Sequence, residues 1–596
     1  MTELKKREEI DDKYKWKLDK IYKNSSDFDK AFEDLKKEAP SLLNFAGKLS
    51  DKNNIIGYFK LSEKLGREAE KLYVYAHMKC DEDTQNQENQ ARMNKIDAYM
   101  AEYASYSAYF VPEILALKDG FIEDLIKNDK NFKEYKFLLE TILKEKPHVL
   151  SKEKEELLAL ASDCLGASES VYNMLTNADM TFGKIKDENG KEIEITEGNY
   201  STYIKSKDRD VRKNAFKTLF REYKKFENTI ATTLSSSVKT FNFGANIRNY
   251  KGPLEASLEP NNIPISVYKN AIKTINDNIK SLHRYVDIKK KLLGLKDMHM
   301  YDLYVPIIEI PKEHIEFDEA VKVANEALKP LGKEYLDIFN EGINSGWIDI
   351  YQNRGKKGGA YSWGSYDTMP YVLLNYNYEL NDISTLVHEM GHSLHSYYSR
   401  KNQSYIYANY TLFCAEVAST TNEALLIHYE IEKEKDKKKK LYLINQELEQ
   451  IRTTVFRQLM FAEFELYTHE ALNEGEALTA SDFNKKWHEL NVKYFGPDMI
   501  VDEEIDIEWA RIPHFYSDYY VYQYATGYAA ATAFANSILD GKEGAVEKYK
   551  GFLKRGGSLY PIDILKEAGV DMTTPKPIEA TIKRFNELLD MMEEEL

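Results

Sequence analysis

The chain has 596 residues, and this length predicts two or more domains because one hydrophobic core rarely serves so many residues. Hydrophobic residues make up 43% and charged residues 30%, as in a globular protein with a charged surface. The 98 acidic and 82 basic residues give a net charge of −16, which disfavours nucleic acid and anionic membranes as partners, since both bind basic surfaces.

The three cysteines are far apart and unpatterned, which excludes a disulfide framework and a cysteine zinc cluster. The first residues lack the apolar core of a signal peptide, and no window of about 18 apolar residues occurs in the chain. These features together predict a cytoplasmic protein that does not insert into a membrane.

The first third of the chain has the hydrophobic period of α-helices up to about Asn177. Ser26 is a candidate N-cap for the first clear helix. The apolar residues after it recur at helical spacing: Phe28, Ala31, Phe32 and Leu35. This part contains no recognisable group of catalytic residues, so we predict that its helices form a structural wall.

The hydrophobic period changes in residues 182–196, which alternate around Asn189-Gly190. Asn-Gly favours the positive φ angles of a type I′ turn, so the stretch predicts a β-hairpin. We place a domain boundary here. The prediction is an N-terminal helical domain, residues 1–198, and a second domain, residues 199–596.

Two short strands are predicted before the most informative helix. Trp347–Tyr351 is the first, and Pro370–Tyr376 is the second. A strand that begins at proline favours a sheet edge, where free backbone groups could pair with an extended peptide. An ordinary structural hairpin is the alternative interpretation.

Residues 385–395 contain His388, Glu389 and His392 in the spacing H-E-x-x-H. Residues four apart lie on the same face of a helix, so the two imidazoles can share one metal ion beside a glutamate that handles a proton. The alternative is a pair of core histidines with a surface glutamate. The surroundings favour a helix, because apolar residues recur on one face: Ile383, Leu386, Val387, Met390 and Leu394.

A catalytic metal needs a third protein ligand and one open position. His395 lies about 7–8 Å further along the helix axis than an ion held between His388 and His392, so it cannot share that ion, and we predict a packing or supporting role for it. The three-histidine pattern H-E-x-x-H-x-x-G-x-x-H is excluded, because its last histidine position is Tyr398.

The third ligand is therefore expected to be a carboxylate from a following helix. Glu416, Glu423 and Glu430 are seven residues apart and share a helix face. We choose Glu416, because the small residues around it let two helices approach closely, and we keep Glu423 as a residue that orients a ligating histidine. Small Gly391, beside His392, favours the same close approach.

Several segments are informative together, in chain order: RGKKGGAY with PYVLLNY, HEMGHSLHS, FCAEVASTTNE, HFYSDYYVYQYATG and FLKRGGSLYPIDILKEAGVDM. In this order they resemble the thimet oligopeptidase family of zinc peptidases, and most closely its bacterial oligoendopeptidase F branch. The resemblance is strong from about Asn199 onward and looser in the first third.

The resemblance implies a mainly α-helical, bowl-like zinc-peptidase fold with a small β-sheet next to the active-site helix. It also implies one Zn²⁺ per chain and short unfolded peptides as substrates. The implied zinc ligands are His388, His392 and Glu416, and the general base is Glu389. Donors to the oxyanion are expected from the tyrosine-rich tract: His514, Tyr519 and Tyr522, with the register of the tyrosines open among Tyr516, Tyr520, Tyr524 and Tyr528.

The expected reaction is hydrolysis of internal peptide bonds by a metal-activated water. One alternative is a related helical zinc carboxypeptidase or dipeptidyl carboxypeptidase. The other is a catalytically silent peptide-binding scaffold, although a structural zinc site normally has four protein ligands and no adjacent base.

Overall fold

Helices dominate the residues that the structure, a computed structural model, describes: 4–308 and 313–595. The predicted fold class, mainly α with a small sheet beside the active-site helix, is confirmed. No helix among the described residues is long and apolar enough to cross a membrane.

The first third is helical, as its period predicts. Asn24, and not the predicted Ser26, caps the first helix, because its side chain accepts the Asp27 N–H at 3.0 Å. The helices of this part are α1 (Ser25–Glu38), α2 (Lys52–Glu82), α3 (Gln87–Ser105), α4 (Phe110–Ala116), α5 (Phe121–Asn128), α6 (Lys136–Lys144), α7 (Lys152–Leu165) and α8 (Ala167–Met174).

The predicted hairpin is present, with β1 (Lys184–Lys186) antiparallel to β2 (Glu192–Glu194). Its turn is not the predicted type I′. Only Gly190 has a positive φ, of 77°, and Asn189 does not. The hairpin loop is also longer than two residues, because Asp187 N–H donates to the Lys191 carbonyl, and a longer loop no longer needs two residues with positive φ.

Helices resume after the hairpin. They are α9 (Glu197–Tyr203), α10 (Arg209–Lys225), α11 (Glu227–Ile247), α12 (Pro253–Leu258), α13 (Ile265–Asp277) and α14 (Lys280–Leu292), then strand β3 (Met298–His299), then α15 (Phe317–Ala327) and α16 (Lys333–Asn344). The remaining strands are β4 (Ile348–Tyr351), β5 (Tyr361–Trp363), β6 (Tyr371–Tyr376) and β7 (Met499–Ile500).

The last helices include the two that carry the predicted metal ligands, α17 and α18. The set is α17 (Leu380–Asn402), α18 (Leu412–Lys433), α19 (Lys437–Ile451), a π-helical turn (Arg452–Phe456), α20 (Arg457–Asn473), α21 (Ala480–Phe495), α22 (Tyr522–Leu539), α23 (Ala545–Arg555), α24 (Pro561–Glu567) and α25 (Lys576–Glu594).

The sheet next to α17 has the order β4-β6-β5, with β4 parallel and β5 antiparallel to β6. The prediction that β6 is an edge strand is therefore wrong. Pro370 precedes the first strand residue, Tyr371, so the missing proline N–H lies outside the ladder and does not prevent pairing on both sides. Helix α17 packs against β5 and β6.

The described chain forms two compact units, and each is discontinuous in sequence. The first comprises Met1–Lys146, Lys312–Tyr429 and Phe534–Val570, and the second comprises Pro147–Pro311, Glu430–Ala533 and Asp571–Leu596. Helix α17 and the part of α18 that carries Glu416 and Glu423 belong to the first unit. The predicted domain boundary after residue 198 cuts the chain at one point, whereas each compact unit combines several separate segments. The boundary therefore stays a prediction.

Candidate metal centre

His388 and His392 lie on one face of helix α17, because the opposite face packs into the hydrophobic core. The five apolar residues predicted for that face are each at most 2% exposed: Ile383, Leu386, Val387, Met390 and Leu394. Asp382, in the first turn, stabilises the start of the helix by accepting the N–H of Asn377 at 2.8 Å and of Glu379 at 2.9 Å. His388 and His392 are left on the opposite side and keep part of their surface open.

Helix α18 crosses α17 at Gly391. A Cβ atom at this position would lie 2.6 Å from Ser419 Cα and 2.9 Å from the Ala418 carbonyl oxygen, so a larger residue would require the backbones of the two helices to move. Near the crossing, the buried amide of Asn422 donates to the Val387 carbonyl at 2.9 Å. These contacts set the distance and register between the two helices.

The crossing brings the three predicted metal ligands together. Glu416 Oε2 lies 3.4 Å from His388 Nε2 and 3.3 Å from His392 Nε2. The three ligand atoms lie within 4.8 Å of one another. Two imidazoles and one carboxylate are a donor set that zinc and related divalent cations prefer, so these residues fit a catalytic metal with an open position.

The charges of the cluster are strongly coupled. Burial raises the pKa of Glu416, but hydrogen bonds from His388 and His392 outweigh burial and hold that pKa well below its ordinary value. Burial lowers the pKa of His388, and its contacts with Glu416 and Glu423 reverse this, raising it to about 10. Burial raises the pKa of Glu389, with partial compensation from the two histidines.

Glu423 orients His388, as predicted. Its Oε2 lies 3.0 Å from His388 Nδ1, which leaves Nε2 directed toward the ligand cluster. Ser384 donates to the other carboxylate oxygen at 3.0 Å, and this role was missed by sequence reasoning. The available signal was that Ser384 precedes His388 by four residues and so lies on the same helix face.

His395 and Glu430 lie outside the ligand cluster. His395 is 1% exposed and stacks on Tyr410 at 3.7 Å between ring centroids, and burial lowers its pKa to about 3. It is a packing residue. Burial raises the pKa of Glu430 to about 7.

The tyrosine-rich tract belongs to the second unit and is described within it. Tyr519 has a positive φ of 57°, its N–H donates to Glu465 Oε1 at 2.7 Å, and its ring is 1% exposed. Tyr522 is 2% exposed. His514 is less buried, and its Nε2 lies 3.3 Å from the hydroxyl oxygen of Tyr524. The catalytic roles of His514, Tyr519 and Tyr522 stay predictions.

Two imidazoles and a carboxylate close together, with a glutamate adjacent to the first histidine, fit the pattern of a metallopeptidase centre. The profile of Peptidase family M3 matches residues 202–584, and that of Oligopeptidase F matches residues 113–182. The chain belongs to peptidase family M3, in its oligoendopeptidase F group, and is a metalloendopeptidase.

Individual relatives agree with this assignment. Oligopeptidase PepF of Bacillus subtilis (strain 168) is 47% identical over 598 residues, covering 100% of this chain and 89% of its own length. Group B oligopeptidase PepB of Streptococcus agalactiae is 39% identical and is covered over 98% of both chains. The crystal structure of oligoendopeptidase-F from Enterococcus faecium aligns with a TM-score of 0.74 at 37% identity, covering 96% of this chain and 99% of its own.

Proposed function

We propose that this metalloendopeptidase carries one Zn²⁺ per chain, held by His388, His392 and Glu416, and that it hydrolyses short unfolded peptides. The observation that best supports this proposal is that two imidazole nitrogens and one carboxylate oxygen lie within 4.8 Å of one another. The carboxylate of Glu423 on His388 supports a neutral ligating imidazole with a defined orientation.

A zinc ion bound by these ligands would acidify a water molecule and polarise the scissile carbonyl. Glu389 is the group that takes the water proton and passes it to the leaving amine. Glu389 is 8% exposed, and burial raises its pKa, which favours a group that both accepts and releases a proton.

Additional donors to the oxyanion are His514, Tyr519 and Tyr522, as the resemblance of their tract implies. Tyr524 joins this proposal, because its hydroxyl lies 3.3 Å from His514 Nε2. Separate Tyr→Phe substitutions at positions 519, 522 and 524 distinguish them. The functional hydroxyl is the one whose loss lowers kcat while zinc content is unchanged.

We propose that a peptide substrate docks by strand addition at β5, because β6 already has a neighbouring strand on each side. Strand β5 is an edge strand with partly exposed residues, and Ser362 within it lies 2.8 Å from Ser393 of α17 between hydroxyl oxygens. A cytoplasmic location is also part of the proposal, supported by Cys80, Cys164 and Cys414, which form no disulfide.

One experiment tests the proposed activity. A set of peptides of graded length, with free or amidated C-termini, and one folded protein are digested with native, metal-stripped and Glu389→Gln enzyme, and the products are identified by mass. We expect internal cleavage of free and amidated short peptides by the native enzyme alone. Cleavage of the folded protein, or failure on amidated peptides, would contradict the proposal.

A further inference from the structure

The second unit contains a cavity of about 450 Å³, and none of the candidate metal ligands lines it. We call it the arginine cavity, because Arg452, Arg457 and Arg511 line it. Aromatic residues form another part of its wall: Tyr200, Phe216, Phe220 and Tyr304. All these residues belong to the second unit, and peptide hydrolysis gives none of them a role.

The arginine cavity lies at the π-helical turn Arg452–Phe456, which joins α19 to α20. A π-turn widens the helix and is less stable than continuous α-helix, so such turns are often found at functional sites. Arg452 and Thr453, the first two residues of the turn, both line the cavity. The irregularity therefore coincides with the cavity wall.

Positive charge is in excess around the arginine cavity. Arg457 pairs with Glu508 at 2.7 Å, and Arg511 pairs with Glu197 at 2.8 Å. Each of these pairs is neutral overall. Any excess of positive charge at the cavity therefore comes from the other basic groups.

The remaining basic groups outnumber their partners. Arg452 and Lys289 share one carboxylate, Glu449, at 2.7 Å and 3.0 Å. Lys205, which lines the cavity, has no ion pair with any residue that the structure describes. Among the residues that line the cavity, four are basic (Lys205, Arg452, Arg457 and Arg511) and two are acidic (Glu449 and Glu508). Lys205 is exposed, whereas Arg452 is buried, and a buried charge is costly unless it is compensated.

Arg452 is the buried member of this excess. It is 0% exposed, and its Nη1 has no hydrogen-bond partner among the described residues. Its guanidinium carbon lies 5.0 Å from the centroid of the Tyr304 ring, which compensates the charge only weakly. Such a buried charge costs free energy, and an anion in the cavity would compensate it across the cavity wall, since Nη1 itself has almost no accessible surface.

We propose that the arginine cavity binds a small organic anion. Its carboxylate or phosphate group compensates the excess charge at Arg452 and Lys205, and its apolar or aromatic body lies against Tyr200, Phe216 and Phe220. The volume of about 450 Å³ is within the range of small-molecule sites and is far larger than a single inorganic ion needs.

Isothermal titration of the zinc-loaded enzyme tests the proposal with three probes at constant ionic strength: benzoate, phenyl phosphate and inorganic phosphate. We expect saturable binding of benzoate or phenyl phosphate with a Kd below about 1 mM, and about tenfold weaker binding of inorganic phosphate, which leaves the aromatic wall uncovered. The Glu416→Ala enzyme should bind equally well, which separates this site from the metal centre.

Variants locate the bound probe. Arg452→Gln and Lys205→Ala are expected to weaken binding about tenfold and about threefold, and Ser201→Trp, which adds bulk at the wall, to abolish it. Exposed Lys280 does not line the cavity, so Lys280→Ala is the matched control and should leave Kd unchanged. If Arg452→Gln does not fold, Lys205→Ala and Ser201→Trp still test the proposal, because both positions are exposed.

Two outcomes would overturn the proposal. One is no saturable binding of benzoate or phenyl phosphate up to about 10 mM. The other is binding that Lys205→Ala and Ser201→Trp leave unchanged. Neither outcome affects the proposed peptidase function, because its metal ligands and general base belong to the first unit and none of its proposed residues lines the cavity.

Discussion

The two ring nitrogens of His388 have different partners. Nε2 faces Glu416 at 3.4 Å, and Nδ1 faces Glu423 at 3.0 Å. A neutral imidazole can donate from one nitrogen and ligate a metal through the other, and the carboxylate of Glu423 selects which nitrogen does each. Glu389, next in the chain, is not part of the ligand cluster and is the proposed general base.

The Glu389→Gln variant separates these two roles. We expect peptide hydrolysis to fall by about 10³-fold or more, because the amide cannot accept the water proton, while zinc content stays at that of the native enzyme. Turnover is measured on a short peptide, and zinc by elemental analysis of the same sample. An unchanged turnover would remove Glu389 from the mechanism.

The Glu423→Gln and Ser384→Ala variants test the support of His388. Loss of the Glu423 charge is expected to weaken zinc binding about tenfold, and loss of the Ser384 hydroxyl by a smaller factor of about three. Competition with a chelator measures both affinities.

The matched control is Ser396→Ala. Ser396 also lies on α17, but its hydroxyl contacts that of Tyr410 and not Glu423. Equal zinc affinity in Ser384→Ala and Ser396→Ala would show that the hydrogen bond to Glu423 is not used.

At the scale of elements, the metal centre depends on how closely α17 and α18 approach. Gly391 meets the backbone of Ser419, and Asn422 ties α18 to the Val387 carbonyl. Backbone atoms on the opposing helix cannot rotate away as a flexible side chain can. Any increase in the distance between the helices therefore moves Glu416 away from the histidines.

The Gly391→Ala variant tests this close approach. We expect it to lower the free energy of unfolding by about 2–3 kcal/mol and to weaken zinc binding, since its Cβ would lie 2.6 Å from Ser419 Cα. Thermal unfolding and chelator competition measure the two effects. Gly527→Ala in α22 is the control, because a Cβ there has open space. Similar unfolding free energies for the two variants would contradict the expected steric clash.

Glu430, further along α18, makes a pH-dependent contribution to stability. Its folded pKa of about 7 lies above its ordinary value of 4.5, so the contribution is complete below pH 4.5 and is lost as pH rises through 7. We expect Glu430→Gln to unfold like the native chain near pH 5 and to be more stable by up to about 3 kcal/mol at pH 8.

Denaturant unfolding across this pH range measures the difference. The control is Glu434→Gln, because backbone hydrogen bonds from Asp436 and Lys435 lower the pKa of Glu434. That variant should gain no stability at pH 8. A difference for Glu430→Gln that does not change with pH would contradict the assignment.

At the scale of the whole molecule, zinc is expected to stabilise the unit that holds its ligands. Ligand binding to the folded state adds about 4 kcal/mol when free zinc is 1,000 times its Kd. Chelation should therefore lower the melting temperature of the native enzyme reversibly, and should leave that of Glu416→Ala unchanged. A native melting temperature that does not respond to chelation would contradict the metal assignment.

The sequence by itself determined the fold class and the cluster of three candidate metal ligands. These depend on short-range regularities: the spacing of His388 and His392 on one helical turn, the apolar stripe behind them, and the small residues around Glu416. Helical geometry converts such spacing directly into positions in space, so neither required knowledge of distant parts of the chain.

Tertiary structure alone decided the features that join separate segments. Whether β6 has one neighbour or two depends on β4 and β5, which lie outside its own sequence pattern. The bond of Ser384 to Glu423 and the pairing of Lys289 with Glu449 likewise join residues from different elements. Such contacts are set by helix packing and register, which periodicity within a single segment does not encode.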